Sequence, residues 1–476
     1  MLKATSLKLK KMFLSAVVVI PKKNHSAMDH IVKQGSRVNN SLWTDCSTSG
    51  FTSSQTDYSS RYDVAIIGGG FSGLWSAFHL KRLDPTLSIA IFEAEQIGFG
   101  ASGRNGGWVS SDYPVYQSTL INRHGRAKTE LLFASLRESI DGIGEFARLH
   151  APEAGFVKSG TLTFARNSGQ LRRLEAMTDT DHRLLTAREI KDLISINGVR
   201  GGIFNDHCAT VQPYELVLGL ARYLISVGVE IFERSRATHV EGGVLVNSHL
   251  IHAKKVLQAT EVFGAPGRDF IPLYSLMVAT EPLPEGMWKE IGNAQRFTFA
   301  EGSHLINYAQ RTVDNRLAIG GRGATYPYRS RLQISKENTA KVHHHLIDLA
   351  RQWFPMLRDV DFTHRWGGAV AITRDWEPYL LWDKRSGFGK IGGYAGDGVT
   401  MSYLASRAIA HEMTETMSVL SELHFINRAI RAWEPEPLRY IAINSLVKLN
   451  GIADREEELT GRPSVLDRLI APVILR

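Results

Sequence analysis

The chain has 476 residues, of which 43% are hydrophobic and 22% are charged. This length exceeds what one compact core holds, so the sequence predicts two domains. Residues 1–40 contain eight Lys and Arg but only one acid, Asp29, and therefore carry +7 of the formal charge of +8. The nearly neutral remainder argues against nucleic-acid binding, which needs a basic folded face. Two cysteines, Cys46 and Cys208, exclude a disulfide framework and a four-cysteine zinc site, and they favour a reducing, cytoplasmic location.

The N-terminal segment combines lysines with a short apolar run over residues 12–20. The run is too short to cross a bilayer, which needs about twenty residues, so we expect no integral membrane span. It also lacks a small-residue cleavage site, although export or membrane association through this segment stays open as an alternative. Translation from Met28 would make the preceding residues a dispensable tail. We expect residues 1–61 to form a basic tail, poorly ordered at its start, and a lead-in arm whose Leu42 and Trp43 dock on the protein body.

A dinucleotide-binding pattern follows the arm. Residues 62–67 form a short apolar run typical of a buried parallel strand, and G-x-G-x-x-G spacing and an apolar helical face come next. In this arrangement the glycines let the turn and the helix N-terminus approach a pyrophosphate. The predicted cofactor contacts in this turn are Gly68, Gly70, Phe71, Ser72 and Gly73.

The second predicted strand, residues 88–92, ends at Glu93, followed by Ala94. An acid about twenty residues after the last glycine accepts hydrogen bonds from ribose hydroxyls, so Glu93 and Ala94 are predicted cofactor contacts. Taken alone, this pattern serves NAD as well as FAD. The sequence contains no second glycine motif with a spaced acid, so we expect reducing equivalents to come from the substrate and not from a nicotinamide.

Residues 98–107 contain five glycines in ten positions. The segment resembles the second flavin-contacting loop of the D-amino-acid oxidase, glycine oxidase and sarcosine oxidase superfamily, and its second half is similar to the gamma-glutamylputrescine oxidase branch. Closely spaced glycines let backbone N–H groups reach a ligand. The resemblance implies FAD contacts from Ser102, Arg104, Asn105 and Gly106. A solvent-exposed loop with a hydrated Arg104 is the alternative.

Later segments resemble the same superfamily in the same order. A predicted helix over 211–228 and a strand over 229–233 precede Val240, which resembles the position whose backbone meets the adenine. The strand ending at Thr260 resembles the one that leads into the substrate domain. Near the end of the chain, the helix after residue 396 resembles the family's closing helix, whose N-terminus would face the flavin pyrimidine edge. The implied contacts are Val240, Thr260, Gly396, Gly398, Val399 and Thr400.

Strands predicted over 274–280, 304–310 and 317–320 indicate a mixed or antiparallel sheet, which by resemblance forms the wall over the flavin. Catalytic residues cannot be assigned, because flavin oxidation of a neutral amine needs no obligatory general base. Each candidate below is also compatible with a core or surface position. The candidate pocket residues are Tyr308, Arg311, Trp366, Trp376 and Asp397, the last of which stands where the branch often has histidine.

The resemblance implies an FAD-dependent oxidoreductase that oxidises a small or polyamine-derived amine by hydride transfer to flavin N5, giving an imine that hydrolyses, with oxygen or another electron acceptor. Ala318 and Thr400 stand where sarcosine oxidase has lysines, so a simple amino-acid substrate and fast oxygen reduction are less expected. No Cys or His occupies the place of covalent attachment, which predicts non-covalent FAD. A flavin-binding protein without turnover and a hydroxy-acid oxidoreductase are the alternatives. We expect no metal site, because consecutive His343, His344 and His345 point in different directions on a helix.

The predicted fold class is α/β, with a Rossmann-type FAD-binding domain interleaved with an α+β substrate domain that contains a mixed or antiparallel sheet. The FAD-binding domain is predicted over 62–155, 200–265 and 366–420, the substrate domain over 156–199 and 266–365, and a helical extension over 421–476.

Overall fold

The structure is a computed structural model, and it describes residues 37–38, 41–55, 57–177, 181–264 and 267–466. The predicted apolar run over 12–20 and the alternative start at Met28 lie outside the described residues. The described residues form one compact unit.

The strands alternate with helices along the FAD-binding segments and cluster in the substrate half. In chain order they are β1 Arg37–Val38, β2 Arg61–Ile67, β3 Ile89–Phe92, β4 Trp108–Ser110, β5 Val157–Lys158, β6 Thr161–Ala165, β7 His182–Thr186, β8 Gly201–Asn205, β9 Cys208–Thr210, β10 Val229–Phe232, β11 Ala237–Val240, β12 Gly243–Val246, β13 His249–Gln258, β14 Phe270–Thr280, β15 Thr298–Glu301, β16 Asn307–Arg311, β17 Leu317–Arg322, β18 Phe362–Thr373, β19 Tyr379–Asp383 and β20 Phe388–Gly392.

The α-helices of the described residues, again in chain order, are α1 Leu42–Asp45, α2 Phe71–Leu83, α3 Gln117–His124, α4 Arg126–His150, α5 Ser168–Glu175, α6 Ala187–Leu193, α7 Pro213–Ser226, α8 Glu285–Ile291, α9 Ile334–Glu337, α10 Ala340–Trp353, α11 Gly398–Thr414 and α12 Leu438–Thr460. Across the ranges that the structure describes, no helix is both long and apolar enough to cross a bilayer.

The first sheet is the predicted dinucleotide-binding sheet. Its parallel core runs β10, β3, β2, β13 and β20, with β11, β12 and β19 added antiparallel. In β2, Val64 and Ile66 pack into one hydrophobic cluster and Ala65 and Ile67 into another. Since successive side chains point to opposite faces, β2 is covered on both sides, which explains its continuous apolar sequence. The Rossmann-type prediction is confirmed.

The second sheet has nine strands in the order β1, β18, β14, β17, β16, β15, β6, β8 and β7. It is mixed, because β1 pairs with β18 and β15 pairs with β6 in parallel while the other pairs are antiparallel. The longest pairing joins β14 to β18, from Phe270 opposite Thr373 to Thr280 opposite Phe362. The mixed substrate sheet predicted from the sequence is confirmed.

Two strands lie in a different sheet from the one that the predicted boundaries imply. Strand β8 and the part of β18 after residue 366 were predicted with the FAD-binding domain, but both belong to the nine-stranded sheet. Strand β8 lies there because it forms an antiparallel pair with β7 on one side and β6 on the other. The remaining domain boundaries stay predictions.

The lead-in arm docks on the body, as predicted. Leu42 and Trp43 are 1% and 2% exposed. Behind them, the Glu215 carboxylate at the start of α7 accepts hydrogen bonds from the backbone N–H groups of Thr48 and Ser49 at 2.7 and 3.2 Å. The arm is therefore held both by burial and by a carboxylate of the FAD-binding half.

Candidate functional site

The glycine turn between β2 and α2 has the close contacts that the pattern predicts. Gly68 has φ of +111°, and a Cβ added there would lie 2.5 Å from the carbonyl oxygen of Ala259. A Cβ at Gly73 would lie 2.0 Å from the Gly68 oxygen. Only glycine fits either position, so the turn brings the α2 N-terminus close to β2.

The N-terminus of α2 faces a serine of the second glycine loop. Helix α2 begins after Gly70, which provides no side-chain cap, and the N–H of Phe71 donates to Ser102 Oγ at 2.9 Å. The other first-turn N–H groups have no partner within the helix, and they carry its partial positive charge. This arrangement fits a pyrophosphate held between the turn and Ser102.

Glu93 lies at the end of β3, directly beside this turn. Its Oε2 accepts the N–H of Gly69 at 2.7 Å and its Oε1 accepts the N–H of Glu95 at 2.9 Å. Burial raises the pKa of Glu93, while those backbone hydrogen bonds oppose the rise. Each carboxylate oxygen keeps a further lone pair, so the group can still accept from ribose hydroxyls.

The loop over residues 98–107 is shaped by its own polar side chains. Asn105 Oδ1 accepts the N–H of Gly107 at 2.8 Å, and its Nδ2 donates to the carbonyl oxygens of Ala101 and Ser102. Arg104 pairs with Glu337 of α9 at 2.8 Å. Asn105 and Arg104 therefore hold the loop in place, and their direct FAD contacts stay predictions.

Three side-chain donors hold three successive carbonyl groups of this loop. Ser41 Oγ donates to Gly103 O at 2.8 Å, Trp366 Nε1 to Arg104 O at 2.9 Å, and Trp43 Nε1 to Asn105 O at 2.7 Å. The two tryptophan rings meet edge to face, 6.0 Å apart. Trp366 is fully buried in this cluster, and its place in the pocket wall stays a prediction.

The closing helix α11 begins beside the α2 helix. The Tyr394 hydroxyl, just before α11, lies 2.9 Å from Ser72 Oγ, and Ser406 Oγ donates to the Ser72 carbonyl at 2.9 Å. In the first turn of α11, Thr400 Oγ1 is buried without a hydrogen-bond partner. A buried hydroxyl normally finds a partner, so this unsatisfied oxygen fits a ligand group at the helix N-terminus.

Four side chains from both halves of the chain converge at the same place. Tyr308 of β16 lies against the flavin loop, because a Cβ at Gly106 would lie 2.5 Å from its ring. The Arg322 guanidinium at the end of β17 lies 5.4 Å from the Trp376 ring centre and donates to Ala395 O at 2.7 Å. Burial lowers the pKa of Arg322, and the charge of Asp397 opposes this.

Tyr308, Trp376 and Asp397 were predicted from the sequence as pocket candidates, and the structure brings them together. Arg322 was missed, although its position directly after the Gly320–Gly321 pair at a strand end was a visible signal. Arg311, another candidate, binds Asn315 and Glu285 and packs on Trp288, which gives it a structural role.

The remaining predicted cofactor contacts lie at or just after the ends of strands of the first sheet, and just before or in the first turn of α11. Val240 ends β11 opposite Gly243, and Thr260 Oγ1 accepts from Gln258 Nε2 at 3.0 Å. All of the predicted cofactor contacts stay predictions, including Ala94, Gly396, Gly398 and Val399.

The fold combines a parallel sheet and its glycine turn with an acid at the end of the second strand. These features define a dinucleotide-binding protein. The family described as FAD dependent oxidoreductase matches residues 63–412, so the chain belongs to that family and is an FAD-dependent enzyme. The resemblance inferred from the loop over 98–107 is thereby confirmed.

Individual relatives agree with this assignment. Gamma-glutamylputrescine oxidoreductase of Escherichia coli K12 is 26% identical, with 73% of this chain and 82% of that protein covered. A probable oxidoreductase, OrdL, of Rhizobium meliloti strain 1021 is 29% identical, covering 74% and 83%. The solved glycine oxidase of Geobacillus kaustophilus superimposes with a TM-score of 0.65 at 19% identity, covering 78% of this chain and 100% of that one, and shows the shared fold.

Proposed function

We propose that this enzyme oxidises the C–N bond of a small or polyamine-derived primary or secondary amine. The supporting observation is the similarity over nearly three quarters of the chain to a protein named gamma-glutamylputrescine oxidoreductase. When bound, FAD supplies a two-electron acceptor whose N5 takes the hydride equivalent of the amine carbon, and the resulting imine is hydrolysed by water. The predicted absence of a covalent link makes this FAD dissociable.

The side chains around Tyr308 support an amine as substrate. Tyr308 and Trp376 offer aromatic surfaces, and Asp397 offers a carboxylate that attracts an ammonium group. The neighbouring Arg322 cation favours the neutral form of a nearby amine, because a like charge lowers an amine's pKa. In this proposal the carboxylate draws the amine in, and the guanidinium favours the deprotonated form that gives up hydride.

The direct test mixes purified full-length holoprotein with single substrates under anaerobic conditions and follows the visible flavin absorbance. We expect bleaching by at least one amine in a panel of gamma-glutamylputrescine, sarcosine and glycine. Bleaching by a hydroxy acid alone, or by dithionite but none of the amines, would overturn the proposal. Repeating the reaction in air distinguishes oxygen from another electron acceptor.

The non-covalent attachment of FAD is tested separately by acid precipitation. We expect the flavin fluorescence in the supernatant. Fluorescence that stays with the precipitated protein would show a covalent link and would leave the proposed amine chemistry untouched.

A further inference from the structure

Three potential metal ligands converge outside the flavin site. They are His124, the last residue of α3, Glu377 in the loop after β18, and His424 after α11. Their ligand atoms all lie within 4.8 Å of one another. The three segments are far apart in the chain, so no sequence spacing reveals the cluster.

The distances fit one shared cation. Glu377 Oε2 lies 2.8 Å from His124 Nε2 and 3.1 Å from His424 Nε2. Ligands held about 2.0–2.1 Å from a tetrahedral zinc lie about 3.3 Å apart, so a small inward or outward shift would place all three on one ion. The imidazole rings stack with centres 4.2 Å apart, and both Nε2 atoms lie beside the same Glu377 oxygen.

We propose that His124, Glu377 and His424 form a binding site for a divalent transition metal, with zinc the best match. Two imidazole nitrogens and a carboxylate oxygen are ligands that zinc accepts, with a fourth position left for water. A solvent-accessible cavity of about 450 Å³ beside the cluster provides both the entry path and room for that water.

Outer contacts orient the central carboxylate. Arg123 Nη1 donates to Glu377 Oε1 at 2.7 Å, which leaves Oε2 facing the two imidazoles. The Glu377 backbone is held as well, because its carbonyl accepts from Thr373 Oγ1 at 2.7 Å. Hydrogen bonds of this kind, made by residues around the ligands, are typical of protein metal sites.

The cavity is also lined by Arg123, Arg428 and Arg431, so an anion is the competing occupant. Arg428 is held by Asp375 at 2.8 and 3.1 Å, and Arg123 is paired with Glu377. An anion at the cluster would meet the Glu377 carboxylate at its centre, which repels it. The ligand arrangement therefore favours a cation.

The proposed metal would stabilise the loop that carries a pocket residue. Glu377 directly follows Trp376, which has φ of +66° and whose ring faces Arg322. A positive φ is unusual for a bulky residue and is maintained only where the surroundings hold it. We therefore assign the metal a structural role near the pocket and no part in the chemistry.

The test uses full-length holoprotein dialysed against a chelator and titrated with zinc chloride, followed by calorimetry and thermal unfolding. We expect one zinc per chain and a higher Tm. Cobalt(II) in place of zinc should give the visible absorption of a tetrahedral site. In His124→Ala and His424→Ala the zinc affinity should fall at least about tenfold, because lost outer contacts alone cost that much.

His344→Ala is the matched control, because His344 is an exposed histidine of α10 outside the cluster. Flavin content measured on every variant shows whether the fold is kept. Equal zinc affinity in the wild type and in both cluster variants would overturn the site. So would a wild-type protein that binds no zinc when one equivalent is added. A rise in Tm with inorganic phosphate but not with zinc would show an anion site instead.

Discussion

Gly73 lacks a side chain, and this absence permits the glycine turn between β2 and α2. Its Cβ position is filled by the Gly68 carbonyl oxygen, 2.0 Å away, and no side-chain rotation relieves that contact. The backbone would have to move, and the helix N-terminus would move with it. The geometry of the turn therefore depends on this residue, and we predict that the FAD affinity depends on it too.

Replacing Gly73 by alanine should cost at least about 2 kcal/mol of stability and most of the bound FAD, because overpacking displaces α2 from β2. The measurement is the flavin-to-protein ratio after gel filtration. Gly286→Ala is the control, since a Cβ there meets nothing within 4 Å. Full flavin content in Gly73→Ala would contradict the assigned turn.

Glu261 follows β13, and its carboxylate links this position to two other backbone segments. It accepts the N–H groups of Ala371, Gly393 and Tyr394 at 3.1, 3.0 and 3.4 Å. Burial nevertheless raises the pKa of Glu261 to about 7, against those hydrogen bonds. The folded protein thus holds this proton more tightly than the unfolded chain does.

Because the folded pKa is raised, this group favours folding below about pH 4.5, and the advantage is lost as the pH rises to about 7. The loss amounts to at most about 3 kcal/mol. We expect the free energy of unfolding to fall more between pH 5 and pH 8 in the wild type than in Glu261→Gln, as measured by urea denaturation. Equal falls would contradict the raised pKa. The comparison uses the change of the unfolding free energy with pH, so a pH-independent loss of stability caused by the substitution itself cancels.

Asp397 tests the proposed role of the pocket charges. Asp397→Asn keeps the size of the side chain but removes the attraction for an ammonium group. We expect KM for a reactive amine to rise about tenfold, which corresponds to about 1.4 kcal/mol, with a smaller change in kcat. Asp348→Asn, on the exposed face of α10, is the control. An unchanged KM would exclude Asp397 from amine binding.

At the scale of elements, the lead-in arm and the second glycine loop form one unit. Strand β1 pairs with β18, and Ser41 and Trp43 then donate to the loop carbonyls. Trp366 reaches the same loop from β18. The arm thereby joins the nine-stranded sheet to the predicted flavin loop.

Trp43→Phe should keep the aromatic packing but lose the hydrogen bond to Asn105 O. We expect a stability loss of about 1 kcal/mol and weaker FAD retention. Trp433→Phe is the matched control, because Trp433 Nε1 donates in the same way to Ile372 O at 2.9 Å, away from the loop. A similar loss of FAD in both variants would show that the hydrogen bond from the arm has no specific role in flavin binding.

Elements that depend on local sequence were predictable. The β2 strand, the glycine turn and α2 follow from an apolar run, glycine spacing and a helical face, all within about twenty residues. Contacts between distant segments were not. Arg104 pairs with Glu337, 233 residues away, and Trp366 meets Trp43, so their roles depend on docking that no local pattern encodes. The His124 cluster was missed for the same reason.

At the scale of the whole molecule, the candidate active site forms where the chain passes between the two sheets. The flavin loop follows the first sheet and reaches the second through Trp366, and α11 returns after β20 to pack on α2. Most of the predicted cofactor contacts thus follow strands of the first sheet, whereas Tyr308 and Arg322 belong to the second. Such a boundary between two layers is a common place for ligand sites.

The central claim, oxidation of a C–N bond, is tested most directly by the products of a single anaerobic turnover. With an amine that bleaches the flavin, we predict one carbonyl compound and one equivalent of ammonia or amine released per flavin reduced. Flavin reduction without release of ammonia or an amine would contradict the account, because hydrolysis of an imine must break the bond between carbon and nitrogen.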